Sequence, residues 1–111
     1  MIKKAYFFII IFLSPFIFAE TYSCEDDLGA FTLKRVVYSD TFSQFQYQRN
    51  DYNPDLYSIT RENENYLYLM RDYAGGASFY IIGKTDNSFV GAYLKHEDSS
   101  SVFDGKCFLI K

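Results

Sequence analysis

Asp51-x-Asn53-x-Asp55, with Glu62 further on, puts oxygen ligands at the first, third, fifth and twelfth positions of a calcium-type loop. A hard cation needs several oxygens converging on one point, and that spacing offers them. Leu56, however, stands where such a loop needs glycine for its sharp turn, and Pro54 sits between two of the ligands. An ordinary Asx/Pro turn is the preferred reading. Asp51, Asn53, Asp55 and Glu62 remain the weak metal candidates, and no cofactor is expected.

Two acidic clusters, Glu25-Asp26-Asp27 and Glu97-Asp98, could exchange protons or hold a metal. Adjacent carboxylates on a loop more often face water or a partner, and both clusters are read as loops. Ser99-Ser100-Ser101 has no nucleophile elbow around it. His96, flanked by Lys95 and Glu97, has no positioned acid to make a triad. Gly75-Gly76 falls between strands and lacks the helix N-terminus that phosphate cradles use. No catalytic residue is assigned.

The two cysteines carry a different chemistry. Cys24 and Cys107 allow a single pairing, lack CxxC spacing, and have no cluster of histidines to make a metal site with them. A disulfide is expected, closing a loop of more than eighty residues; in the chain-entropy model that is worth on the order of 4.5 kcal/mol.

The residues that position these groups read as short strands. Phe31 to Tyr38 alternates, with Phe31, Leu33 and Val37 on one face. Phe42 to Arg49 sets Phe45 and Tyr47 against Gln44, Gln46 and Gln48. Asn50 to Asp55 is a turn, Leu56 to Thr60 a strand, and Arg61 to Asn65 the next turn. Tyr66 to Met70 is apolar on both faces, which predicts a central strand covered on two sides. Tyr73-Ala74-Gly75-Gly76 reverses the chain. Phe79 to Ile82 and Phe89 to Leu94 flank a polar hairpin loop, and Lys106 to Ile110 forms the last strand after a loop over His96 to Ser101. The expected fold is all-β: a small antiparallel meander of about seven strands, curled into a barrel or two-layer sandwich and stapled by one disulfide.

Residues 1–19 have the layout of a signal-peptide helix. Lys3 and Lys4 are followed by an uncharged apolar block from Ala5 to Phe18, Pro15 near its end, and Ala19 as the small residue before cleavage. Ile17 is larger than the residue usual two places before such a cut. The block is shorter than the roughly 20 apolar residues of a membrane span, and Thr21-Tyr22-Ser23 is not the approach to a lipid-modified cysteine. Residues 20–111 are therefore expected to be one β-rich domain, periplasmic or secreted, with no membrane segment after cleavage.

Losing Lys3 and Lys4 leaves nine Lys and Arg against fourteen Asp and Glu, net −5. An acidic domain without a basic run argues against nucleic acid and suits a cationic protein partner. Ten tyrosines and seven phenylalanines remain beyond residue 19; tyrosine offers contact area with a polar tip. Glu25, Asp26, Asp27, Tyr73, Gly75 and Gly76 are the candidate contacts.

The Tyr22-Ser23-Cys24 start and the Gly105-x-Cys107 ending resemble small bacterial periplasmic proteins. Tyr73-Ala74-Gly75-Gly76-Ala77-Ser78-Phe79 is similar to the inhibitory loop, of Ser-Gly-Ser-Gly-Ala-x-Tyr type, of the periplasmic C-type lysozyme inhibitors. That family's small antiparallel barrel with a disulfide to the C-terminus is what the resemblance implies. The loop serines are missing here, Phe79 replaces the tyrosine, and the second, Lys-Gly-containing motif has no counterpart. The likeness stops short of membership. The function expected is a non-enzymatic binding module of inhibitor or immunity type; the alternatives are a metal-dependent or carboxylate-based hydrolase using the carboxylates near Asp51 or Glu25, and a structural envelope component.

Overall fold

The computed structural model describes residues 20–95 and 100–110. The leader expected over residues 1–19 lies outside the described residues, as do His96, Glu97, Asp98 and Ser99. Eight strands follow in order: β1 (Thr21–Asp26), β2 (Gly29–Val37), β3 (Ser43–Gln48), β4 (Asp55–Glu62), β5 (Tyr66–Tyr73), β6 (Gly76–Gly83), β7 (Ser88–Lys95) and β8 (Ser101–Ile110). Each pairs antiparallel with the next, and β8 returns to β1, so the sheet closes into a barrel.

Period-two alternation drives closure, because each strand turns one apolar row inward. Phe45 of β3 is fully buried while its neighbours Gln44 and Gln46 are not. Leu33, Leu67, Leu69, Ile82 and Phe89 complete the waist of the core. Cys24 and Cys107 face one another across β1 and β8, with Cα atoms 4.0 Å apart, and form the expected disulfide. The covalent link therefore lies on the pairing that is longest-range in sequence, the one that shuts the barrel.

Eight strands are present rather than about seven, and the addition is β1. Its buried Tyr22 and Cys24 alternate with exposed Ser23 and Glu25, but strand-averse acids at its end disguise it. Glu25 and Asp26 are thus strand residues, not loop residues. β8 likewise begins at Ser101, not Lys106. β4 runs on through Arg61 and Glu62, read as a turn, because a bulge between Ile59 and Arg61 resets its register.

Two predicted faces change. Val37 ends β2 at the rim of the barrel and is exposed, while Arg35 takes the inward position before it. Tyr66 to Met70 is covered on one side only: Leu67 and Leu69 point into the core, while Tyr66, Tyr68 and Met70 face outward.

The hairpins match their sequence signals. Tyr73 pairs with Gly76, and Gly75 makes the turn at φ 84°, where a side chain would be strained. Gly105 serves a different need. A Cβ there would run into the Glu25 carbonyl oxygen and the Phe89 ring, and neither backbone nor packed ring can step aside. Gly105→Ala is expected to cost about 2 kcal/mol, lowering Tm by on the order of 10 °C in thermal unfolding followed by circular dichroism.

Candidate functional site

The two ends of the barrel are built differently. At the end that holds the β2–β3, β4–β5 and β6–β7 connections, Arg35 lies over the Phe45 ring at 4.8 Å. Its guanidinium donates to Glu20 at 2.6 Å, Glu62 at 2.7 Å and Ser43 Oγ at 3.0 Å. Lys84 adds a 2.8 Å bond to Glu62. Burial disfavours the charged Glu62, but hydrogen bonds from Lys84 and Arg35 outweigh it and hold its carboxyl below the usual range. This network plugs the barrel.

The opposite end is lined by aromatic rings. Tyr80 of β6 is the hub, with ring centroids 5.4–5.9 Å from those of Phe31, Tyr47, Tyr57, Phe89 and Phe103. Tyr57 donates to Ser78 Oγ at 2.9 Å. Burial pushes the Tyr57 and Tyr80 hydroxyls well above the ordinary tyrosine value, reinforced at Tyr80 by the neighbouring Tyr47. They stay protonated near neutral pH.

Arg49, just beyond β3, crosses this end. Its Nε donates to the Tyr47 hydroxyl at 2.8 Å and its Nη2 to Asp26 at 2.8 Å. The guanidinium lies 4.8 Å from the Phe31 ring centroid, and Nη1 is buried without an acceptor among the described residues. The ion pair is nearly desolvated, with side chains 12% and 7% exposed. Its charges cancel.

Beside this pair opens a cleft of about 530 Å³. Asp26 at the end of β1 and Asp27 and Leu28 of the β1–β2 turn form one wall, and Ser101 to Asp104 of β8 form the other. Tyr47, Arg49, Tyr80 and Val90 complete it. Asp27 and Asp104 are exposed on its rim, as are Leu28 and Val102.

The cleft opens onto an apolar outer wall. Met70, Phe79, Ala92 and Val102 form one cross-strand row over β5–β8, and Tyr68, Ile81 and Val90 form the next, ending at Asp104. The opposite wall is polar: Lys34 and Gln46 stand in one row with Leu56, and Gln44 and Ser58 in another with Val36. Outward apolar rows add nothing to the barrel's own core.

All six sequence-predicted contacts sit at the open end, in three places. Asp26 and Asp27 line the cleft. Glu25 faces outward opposite Lys106. Gly75 and Gly76 border a separate, shallower hollow of about 380 Å³ with Leu94 and Lys95, and Tyr73 meets the Tyr93 ring edge-on at 5.6 Å. The metal candidates are not brought together. Asp51 and Asn53 are exposed in the β3–β4 connection, and Asp55 pairs with Arg71 at 3.3 Å. Glu62, seven residues along β4 and thus about 23 Å from Asp55, is engaged at the plugged end. No group of three or more His, Cys, Asp or Glu suited to a metal occurs among the described residues.

Sequence reasoning missed Arg49, Val102, Phe103 and Asp104. Inward alternation at Tyr47 and Arg49 was the available signal; nothing local ties Arg49 to Asp26. Comparison with protein families, curated proteins and solved structures finds no match.

Proposed function

We propose that this protein is a non-enzymatic, exported binding module, of inhibitor or immunity type, that engages a cationic protein through the β5–β8 outer wall and the acidic rim beside it. The observation that carries this is the asymmetry between the two walls. Apolar side chains in continuous cross-strand rows gain nothing from water and gain about 25 cal/mol per Å² when covered. A net charge of −5 after residue 19 and two rim carboxylates, Asp27 and Asp104, without an ion-pair partner among the described residues favour encounter with a basic partner. The disulfide suits an oxidising compartment outside the cytoplasm. The alternative of a carboxylate hydrolase gains no support from the geometry, since its acids lie on different faces or are committed to ion pairs.

Affinity capture from an extract of exported proteins tests this. The native protein is expected to retain a stoichiometric basic protein, and Val90→Lys/Val102→Lys, with two exposed sites altered, to retain at least tenfold less at unchanged Tm. Equal capture by the variant, or no capture by either, refutes the reading.

A further inference from the structure

The first half of β8 is an open sheet edge. Cys107 N donates to Asn87 O of the β6–β7 connection at 3.1 Å, so odd-numbered residues of β8 turn their peptide groups toward β7 and even-numbered ones away from it. β1 fills that second side only as far as Glu25 opposite Lys106. No described strand pairs there with Val102 or Asp104. Their N–H and C=O groups therefore border the cleft.

We propose that this edge takes an extended, basic segment of the partner protein as an added strand, with a lysine or arginine side chain directed to Asp27 and Asp104. The inference rests on the binding reading above and specifies its chemistry. Three observations converge on it. An open edge supplies main-chain donors and acceptors, the mode in which an added strand gains affinity from backbone bonds and specificity from side-chain pockets. The cleft supplies such a pocket, at about 530 Å³. The rim supplies the sign of charge: Arg49 is already neutralised by Asp26, which leaves Asp27 and Asp104 unmatched among the described residues. An acidic segment would meet both carboxylates and no free cation in the cleft. Leu28 and Val102, both exposed on opposite walls, suit apolar residues alternating with the basic ones.

The test uses a capped hexapeptide alternating lysine and valine, with one alternating glutamate and valine as control, titrated into the disulfide-intact protein and read by amide chemical shifts. The lysine peptide is expected to shift the Val102 and Asp104 amides, and the glutamate peptide to leave them in place. Asp27→Asn/Asp104→Asn is expected to weaken binding about tenfold. Val102→Pro removes a donor from the open edge without touching a β7 bond and is expected to abolish the Asp104 amide shift. Binding that survives Val102→Pro but is lost in the double Asn variant contradicts strand addition. Failure of both peptides, alongside successful capture of a partner through Val90 and Val102, overturns this inference and leaves the binding reading standing.

Discussion

Replacing both cysteines, as Cys24→Ala/Cys107→Ala, is expected to lower stability by about 4.5 kcal/mol, because the bond spans 83 residues of sequence. The whole closure of the barrel is what it pre-arranges. Without it, pairing β1 with β8 must be won by bringing the two ends of the domain together from an open chain. Against the 5–15 kcal/mol typical of a domain (about half of which this would remove at the middle of the range) the loss is large. At roughly 4–8 °C per kcal/mol, Tm should fall by about 20–30 °C. Guanidinium unfolding of native, reduced and double-alanine protein measures it. A reduced protein that melts with the oxidised one would show that β1–β8 pairing holds by packing alone.

Alkali should unfold the protein steeply. Burial, followed by the charges of Glu20 and Glu62, pushes the Tyr22 hydroxyl up to about 12, and burial drives Tyr57 and Tyr80 further up. In the unfolded chain all three ionise near pH 10. Below that value both states hold their protons and the stabilisation is complete. Above it the unfolded state loses protons that the folded state keeps, so stability falls as pH rises toward the folded values. Each tyrosine contributes about 1.4 kcal/mol per pH unit, or about 4 kcal/mol per unit for the three. Two phases are expected in phenolate absorbance: exposed tyrosines near pH 10, then a cooperative step that coincides with loss of circular dichroism. Tyr80→Phe should remove about a third of the slope. A single phase completed without unfolding would mean that these hydroxyls reach water.

Much of the barrel is legible one strand at a time. Gly75 and Asn87, both at positive φ, mark their turns in sequence, and the Gln44-Phe45-Gln46 alternation announces its buried face. What escapes is what depends on closure. Asp26 reads as an exposed loop acid because its partner Arg49 lies 23 residues away. Arg35 goes unassigned in an apolar row because its counter-charges, Glu20 just before β1 and Glu62 at the end of β4, lie 15 and 27 residues away in sequence. Tyr66 to Met70 carries apolar residues on both faces, a pattern that fits a twice-covered strand or a barrel strand with an apolar outer face. Periodicity cannot separate those two, and the closed sheet decides for the second, with Leu67 and Leu69 inward and Tyr66, Tyr68 and Met70 outward. The acidic end of β1 and the polar start of β8 hide the two strand segments that frame the cleft, so the open edge had no signature of its own.

Hydrogen–deuterium exchange on the oxidised protein, alone and with its captured partner, tests the binding surface most directly. The expected result is slowed exchange over Ser101–Asp104 and the Asp26–Leu28 turn, with little change around Lys84 and Asn63 at the plugged end. Protection confined to the plugged end, with the open end exchanging as in the free protein, would contradict the account.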